Sequence, residues 1–504
     1  MLQSEICRID GNAKLKNRRN LSKSKYINGI QCLKLLWVAI NDPNRMPPYD
    51  TATQHVFDQG HLIGDLAHQL YPDGINLHTD NISENLKETK ASLELRKSLF
   101  EAGFSGNRLF CRVDILNPVV DEGWDIVEVK STNEVKDEHL YDVAFQRHCC
   151  QLAGLKINRC HIMHLNREYV KHGDIDPQQL FVTEDVTDRL AEFADRLETR
   201  IAEMLAVIDS DICPETAIGR HCNAPYACLL QEECWKYLPE HHVMTLYSGK
   251  NLGEELMAQG ILDISNIPEE IKLNDKQQIQ KDCVICGQPH IDTDEIKSFL
   301  KGLKYPLYFM DFETFTTAIP IYDGTSPYQN IPFQFSLHVI TKPGAMVEHY
   351  EYLAEGKDDP RPEFLAELKQ DIGPKGSILV YYAAFEKSRL KEMAGTSPEY
   401  EEWVNSIIER IVDLNVPFRD FSYYHPKQLG SSSLKHVLPA LTNLSYDDLE
   451  IGEGTTASLK FMEAAFSNIS DLQRQKIRTD LRLYCGQDTG GMIDILKKLQ
   501  GLVV

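Results

Sequence analysis

Glu128 and Lys130 stand two residues apart in WDIVEVK, residues 124–130. Ile126, Val127 and Val129 favour a strand there, and on a strand residues i and i+2 share a face, so a carboxylate and an ammonium point the same way. Asp114 lies ten positions before Trp124 in LFCRVDIL, a second β-favouring run. The NPVVDEG stretch between the two runs carries the Pro, Asp and Gly of a hairpin connection. Pairing of the runs would bring Asp114 and Glu128 together. Two converging carboxylates attract a hard divalent cation such as Mg2+ or Mn2+, and a neighbouring Lys can hold an attacking water or stabilise charge on a phosphate. That is the chemistry of phosphodiester cleavage. The bland alternative is a cross-strand ion pair on an exposed face.

A second set of acids lies far downstream. In YPLYFMDFETF (305–315) Leu307, Phe309 and Phe312 favour a strand, and Asp311 and Glu313 project from one face of it. An apolar strand should not carry two unpaired like charges on one side without a use for them. SILVYYAAFEKSRL (377–390) reads as a buried strand running into a helix, with Glu386 near the helix start. For Glu386 alone, a surface helix acid is the plain alternative. In LRLYCGQDTGGMIDILKKL (481–499) Tyr484 and Asp488 are i and i+4 on a helix and hence stacked on one side. Gly486, Gly490 and Gly491 each cost about 1 kcal/mol inside a helix, which suggests close approach to a backbone or a substrate. Asp413, in RIVDL, is a further acid that could support the set.

The cysteines form the third pattern. CNAPYACLLQEEC places Cys222, Cys228 and Cys234 at C-x5-C-x5-C. Thiolates so spaced converge on one metal centre only if the intervening loops fold back, and a fourth ligand is needed. Cys32, far upstream, is the natural candidate. Cys283-x2-Cys286, followed by His290, lacks a second ligand pair and is a weak zinc signal. Cys149, Cys150 and Cys160 lie in apolar surroundings and read as core.

These residues need elements to hold them. Residues 21–40 read as one helix capped at Ser22 or Ser24, with Cys32 inside it. A short helix over 60–74 is stopped by Pro72 and Gly74, and 85–102 reads as a further helix. The helix expected over 135–155 packs on the sheet and can carry Gln146 towards the carboxylates. Residues 161–170 continue the sheet, 184–208 form a long charged helix, and 240–300 have the short amphipathic helices and Pro/Gly breaks of a small helical module.

At 504 residues the chain is long enough for two or three domains, and 42% hydrophobic with 25% charged residues is an ordinary globular composition. The formal charge of −22 repels a polyanion at long range, so any nucleic-acid contact must come from local basic patches. The longest basic run is Lys14–Lys25, with six Lys or Arg, read equally as a solvated tail or a phosphate contact. No stretch approaches the ~20 apolar residues of a membrane span, and no apolar core follows the basic N-terminus as in a signal peptide. A cytoplasmic protein is expected, its 13 cysteines free thiols or metal ligands rather than disulfides.

Cys32 in its C-x4-W helix, the Asp…Glu-x-Lys hairpin, the following Gln helix and the cysteine triplet resemble the RecB-like PD-(D/E)XK nucleases with an iron–sulfur cluster, a group that includes CRISPR-associated and AddB-type exonucleases. The resemblance covers roughly residues 20–240. It implies a [4Fe–4S] cluster on Cys32, Cys222, Cys228 and Cys234 that ties the ends of the domain together. It also implies metal on Asp114 and Glu128, a Lys130 that assists the attacking water, and Gln146 in support. The family's early G-x3-H is altered, Gly60 being followed at that spacing by Gly64, which leaves His61 or His68 as substitutes. The family's Q-x3-Y reads Gln146-x3-Cys150.

Residues 301–504 resemble the Tyr branch of the DEDD-type 3′–5′ exonucleases of the ribonuclease H-like superfamily. By that resemblance Asp311, Glu313, Glu386 and Asp488 hold two metals and Tyr484 positions the water. The usual N-x2-F-D appears as Ala383-x-Phe385-Glu386, one methylene longer and without the Asn.

The expected fold class is thus α/β: a PD-(D/E)XK nuclease domain with an Fe–S cluster (1–240), a helical connector (241–300) and a ribonuclease H-like domain (301–504). The expected function is metal-dependent hydrolysis of nucleic acid, DNA rather than RNA, with no membrane partner. The rivals are a nucleic-acid-binding or scaffold protein with one or both sites decayed and, less favoured, an iron–sulfur redox enzyme, for which no cofactor fingerprint accompanies the cysteines.

Overall fold

The computed structural model describes residues 19–120 and 122–503, so Lys14–Arg18 of the basic run lie outside the described residues. It is a mixed α/β structure with two compact units, one formed by residues up to 49, 57–167 and 176–235, the other by 50–56, 168–175 and 236–504. The helical module over 240–300 belongs to the second unit. No described helix is long and apolar enough to cross a membrane.

The first unit is built on a seven-stranded sheet. Leu99–Gly106 and Leu109–Pro118 pair antiparallel, and the latter pairs antiparallel with Trp124–Lys130, as the hairpin signal requires. The helix Asp137–Leu152 follows and leads into Ile157–Leu165, which runs parallel to Trp124–Lys130. Phe181–Asp185 closes one side, while the two-residue strands Leu21–Ser22 and Ile75–Asn76 add parallel rungs elsewhere. The helix buries Val143, Phe145, Cys149 and Cys150 against this sheet, and Tyr26 stacks on Phe145 with ring centroids 4.7 Å apart. Cys160 is also buried in that core.

Three local expectations are corrected. Residues 21–40 form two helices, Lys23–Gln31 capped by Ser22 and Leu33–Asn41, broken at Cys32, whose backbone is extended at φ −162°, ψ 126°. Asn28 and Gly29, both weak helix formers, precede the break. The helix of 60–74 begins earlier and spans Thr51–His68. The helix expected over 85–102 ends at Ser92, because Leu99, Phe100 and Ala102 are taken into the sheet by pairing with Leu116, Ile115 and Val113; such pairing overrides local propensity.

In the second unit a five-stranded sheet has the order Val347–Leu353, Ile331–Ile340, Leu307–Phe315, Ser377–Val380, Ile411–Asp413. The first three strands are antiparallel and the last two run parallel to the central Leu307–Phe315. Phe309, Phe333, Phe335 and Phe364 fill the core, with Phe333 stacked on Phe461 at 4.0 Å. The 31-residue helix Asp471–Gly501 packs on the central strands, where buried Gln334 Nε2 donates to Leu481 O at 2.9 Å. Of the three helix glycines, Gly491 is closed in by a side chain, since a Cβ there would lie 2.9 Å from Leu438 Cδ2, whereas Gly490 faces open space. None of the three is met by a neighbouring backbone, which leaves the substrate side of the expectation to Gly486 and Gly490.

Candidate active sites

In the first unit Asp114, Glu128, Lys130 and Gln146 converge. The hairpin ladder ends at Ile115 opposite Val127, and Asp114 and Glu128 are the next residues on each strand. Glu128 is only 1% exposed, so its charge must be met by protein groups. Lys130 Nζ donates to Glu128 Oε1 at 2.8 Å and Gln146 Nε2 to Oε2 at 2.5 Å. The Val129 N–H donates to Asp114 Oδ2 at 2.8 Å. A residue that the spacing arguments did not single out completes the set: Lys23 Nζ lies 2.9 Å from Glu128 Oε1 and 3.6 Å from Asp114 Oδ1. Its only sequence signal was membership in the basic run, which reads as surface charge. Asp142 pairs with Lys130 on its other side.

The electrostatics follow from these contacts. Burial opposes charge on Glu128, yet Lys130 and Lys23 outweigh it and hold the carboxyl well below the usual range. Burial and the Glu128 charge push Asp114 up to about 7, against the pull of Lys23. Burial likewise disfavours both ammoniums, but the carboxylates around them raise Lys23 and Lys130 above the ordinary lysine value. Glu101, in left-handed backbone at φ 57°, adds a third acid; burial raises it, with Lys23 opposing. Of the two histidines considered as substitutes, His61 is exposed and His68 stacks on Phe100 with ring centroids 3.9 Å apart.

Cys32, Cys222, Cys228 and Cys234 line one small cavity of about 10 Å³, with Lys34 and His221 beside them. The break between two helices presents Cys32 to the loop over 213–234, and Gln31 Nε2 secures that loop by donating to His221 O at 2.8 Å and Tyr226 O at 2.7 Å. No three of the four thiols lie within 4.8 Å of one another. All described cysteines are free thiols. Cys283 is buried and Cys286 exposed, and Cys286 Sγ is directed at backbone oxygens of Cys283 and Gln288.

In the second unit Asp311, Glu313, Glu386, Tyr484 and Asp488 line a cavity of about 630 Å³. The first two come from one face of the central strand, Glu386 from the first turn of Ala383–Thr396, and Tyr484 and Asp488 from one side of the long helix. Lys435 supplies positive charge in the lining. The acids repel one another. Asp311 is raised by burial and by Asp488, Glu313 and Glu386; Glu313 is raised by burial and Asp488. Burial lifts Asp488 to about 7 although Tyr446 and Lys435 oppose it, and lifts Glu386 to about 8. Glu386 Oε2 is buried without a hydrogen-bond partner, a costly arrangement in an apolar surround.

Three residues around this cavity escaped the spacing arguments. Tyr446 Oη donates to Asp488 Oδ1. Cys485 Sγ lies 3.8 Å from Asp311 Oδ2, and the ligand atoms of Asp311, Glu313 and Cys485 all fall within 4.8 Å of one another. Lys435 comes from a loop–helix junction without any motif. Asp413 does not line the cavity but lies close enough for its charge to help raise Glu386; it also accepts the Tyr382 and Asn415 N–H groups at 3.1 and 3.0 Å and pairs with Arg419 at 3.3 Å. That role is structural, because Tyr382 holds left-handed backbone at φ 87° immediately before the Glu386 helix.

Comparison with known proteins adds a family match over part of the second unit. Residues 308–433 match a family described as a domain of unknown function, DUF2779. That span includes Asp311, Glu313 and Glu386 and stops before Tyr484 and Asp488. The chain is 30% identical over 222 residues, 39% of its own length, to the uncharacterized protein UU173 of Ureaplasma parvum serovar 3. It is 30% identical over 223 residues, 40% of its length, to the uncharacterized MG366 homolog of Mycoplasma pneumoniae. The chain spans about a third of the length of these curated relatives, 32% and 33% respectively.

Proposed function

We propose that this chain is a metal-dependent nuclease whose working hydrolytic site is the acid cavity of the second unit. The observation that carries this reading is the convergence of Asp311, Glu313, Glu386 and Asp488 on one cavity with like-charge repulsion and an unpartnered Glu386 oxygen. Such a donor set fits hard divalent cations, Mg2+ or Mn2+. Bound there, they would polarise the phosphate and activate a water. The protein's own groups do the rest: Asp311 and Glu313 present oxygens from a rigid strand, Tyr446 orients Asp488, and Tyr484 offers a phenol one helical turn from Asp488 to hold the attacking water. The mixed sheet with its acids on the central strand supports a ribonuclease H-like module of the DEDD type, for which the resemblance implies DNA rather than RNA as substrate.

For the first unit, the Asp114–Glu128–Lys130–Gln146 constellation supports a PD-(D/E)XK-type site. A second reading has its own observation. Lys23 lies within reach of both carboxylates, where a divalent cation would have to displace it, which favours a site retained for binding or kept closed until substrate draws Lys23 onto a phosphate.

The four cysteines, gathered at one cavity, are the set that by the resemblance would hold a [4Fe–4S] cluster. When bound, a [4Fe–4S] cluster would cross-link Cys32 to the 222–234 loop, a contribution to folding on the order of 10 kcal/mol. Anaerobically purified protein should contain iron and sulfide, and Cys32→Ser should lose them together with the fold of the first unit; colourless protein with stoichiometric zinc would refute the cluster.

The central experiment is hydrolysis of end-labelled single- and double-stranded DNA and RNA with Mg2+ or Mn2+ by the unaltered protein, Asp311→Ala and Lys130→Ala. Stepwise release from a 3′ end that vanishes in Asp311→Ala and persists in Lys130→Ala is the expected result. Degradation indifferent to Asp311 would sink the assignment.

A further inference from the structure

A second cavity of about 810 Å³ shares Ser431 with the acid cavity and is walled by the helical module (Met244–Leu252, Lys272, Gln277) and by Leu429, Gly430 and Ser431. It is a built feature. Gly430 sits at φ 74°, and a Cβ there would lie 2.1 Å from Thr245 O, so only glycine lets this loop meet the module. Gln280, 1% exposed, donates to Thr245 O at 2.9 Å and accepts the Tyr247 N–H at 2.8 Å. Buried Gln277 donates to Tyr247 O at 3.1 Å. Ser248 and Leu429 hold left-handed backbone at φ 50° and 49°, a strain that persists where the surroundings over-determine it.

The charge of this cavity is opposite to that of its neighbour. Lys250 and Lys272 line it against the one acid Glu255, and Lys435 lines the acid cavity beside Ser431. In a chain of net charge −22, lysines gathered next to four carboxylates are where a polyanion can be held. A strand cannot approach the acids on its own account, because its phosphates are repelled by them. It needs cations that hold the chain while one phosphodiester enters.

We infer that the Lys250–Lys272 cavity is the channel for the sugar–phosphate backbone of a single nucleic-acid strand whose terminal phosphodiester lies among Asp311, Glu313, Glu386 and Asp488. This rests on the proposed function. Its volume suits a few nucleotides of one strand. The helical module is then part of the substrate path rather than a spacer between domains.

The test is fluorescence anisotropy of a 3′-labelled single-stranded oligonucleotide across a salt series, with the full chain carrying Asp311→Asn so that the probe stays intact. Adding Lys250→Ala and Lys272→Ala should weaken binding at least tenfold and flatten the slope of log K against log salt by about 1.4, two single-strand contacts at about 0.7 each. Glu255→Lys should tighten binding and steepen that slope. All three residues are exposed, and an unchanged unfolding midpoint verifies that folding is not the cause. Unaltered affinity and slope in the double lysine variant, or no oligonucleotide binding by the parent at low salt, would overturn the channel. Hydrolysis of the p-nitrophenyl ester of thymidine monophosphate by the unaltered protein reports on the acid cavity alone. A chain that cleaves this ester yet fails the binding test has the site without the channel. One that passes the binding test without cleaving it has the channel without the chemistry.

Discussion

Glu128 in the first unit and the acids of the second meet the same electrostatic problem in opposite ways. In the first unit Glu128 is buried but ionised, because Lys130 and Lys23 lie within 2.8 and 2.9 Å of its Oε1. In the second, Asp311, Glu313, Glu386 and Asp488 share a cavity with Lys435, and all four are pushed up towards neutrality. An internally neutralised site is stable by itself and must be opened to bind a cation. An uncompensated one carries repulsion that a cation relieves, so binding free energy is available to it from the outset. A cluster of acids is therefore informative about metal affinity only when the surrounding cations are counted.

The comparison predicts stability changes of opposite sign. Glu128→Gln takes one carboxylate partner from two half-buried ammoniums and should destabilise the first unit by about 1–3 kcal/mol, measured by hydrogen exchange on the strands Leu109–Pro118 and Trp124–Lys130. Asp311→Asn removes a like charge and should stabilise the metal-free second unit by on the order of 1 kcal/mol, while abolishing Mn2+ binding in titration calorimetry. Destabilisation by both changes would erase the distinction between the sites.

The pH dependence should set Glu128 apart from the second-unit acids as well, with Asp114, at about 7, siding with the latter. Asp488 and Glu386, at about 7 and about 8, lie above their unfolded values of about 3.9 and 4.3. The native state keeps its protons longer, so the stability these groups confer is complete below about pH 4 and is lost as pH rises towards 8. Glu128, depressed in the fold, acts in the reverse sense, its contribution present above about pH 4 and lost in stronger acid. Exchange-derived opening free energies of Leu307–Phe315 should fall between pH 4 and 8 without metal and flatten with Mn2+. A flat metal-free profile would mean that the acids are compensated after all. The smallest effect is expected from Tyr446→Phe, which removes one hydrogen bond from Asp488, worth about 1 kcal/mol, and should weaken Mn2+ binding several-fold without abolishing it.

How far the sites could be read in advance depended on how local their geometry is. Glu128 and Lys130, or Tyr484 and Asp488, are neighbours by the period of one element, and Asp114 reaches Glu128 across one hairpin; all of these contacts are present. Local propensity fails over 85–102 and 21–40, where long-range pairing of Leu99–Gly106 and the turn at Cys32 override it. Asp413 acts on Glu386 through its charge and also accepts the N–H of the strained Tyr382 turn.

What the amino-acid sequence determined by itself is which residue types share a face: the acids at Asp311 and Glu313, the Glu-x-Lys pair, and the cysteine triplet that needs a distant partner. Periodicities of two and 3.6 residues follow from backbone geometry alone. Only the tertiary structure decided which charges are neutralised. Lys23 reaches Glu128 across 105 residues of chain, Tyr446 reaches Asp488 across 42, and Gly430 seats its loop on Thr245 because the αL turn and the missing Cβ allow it. Those meetings depend on how sheets and helices pack, and no local spacing encodes them.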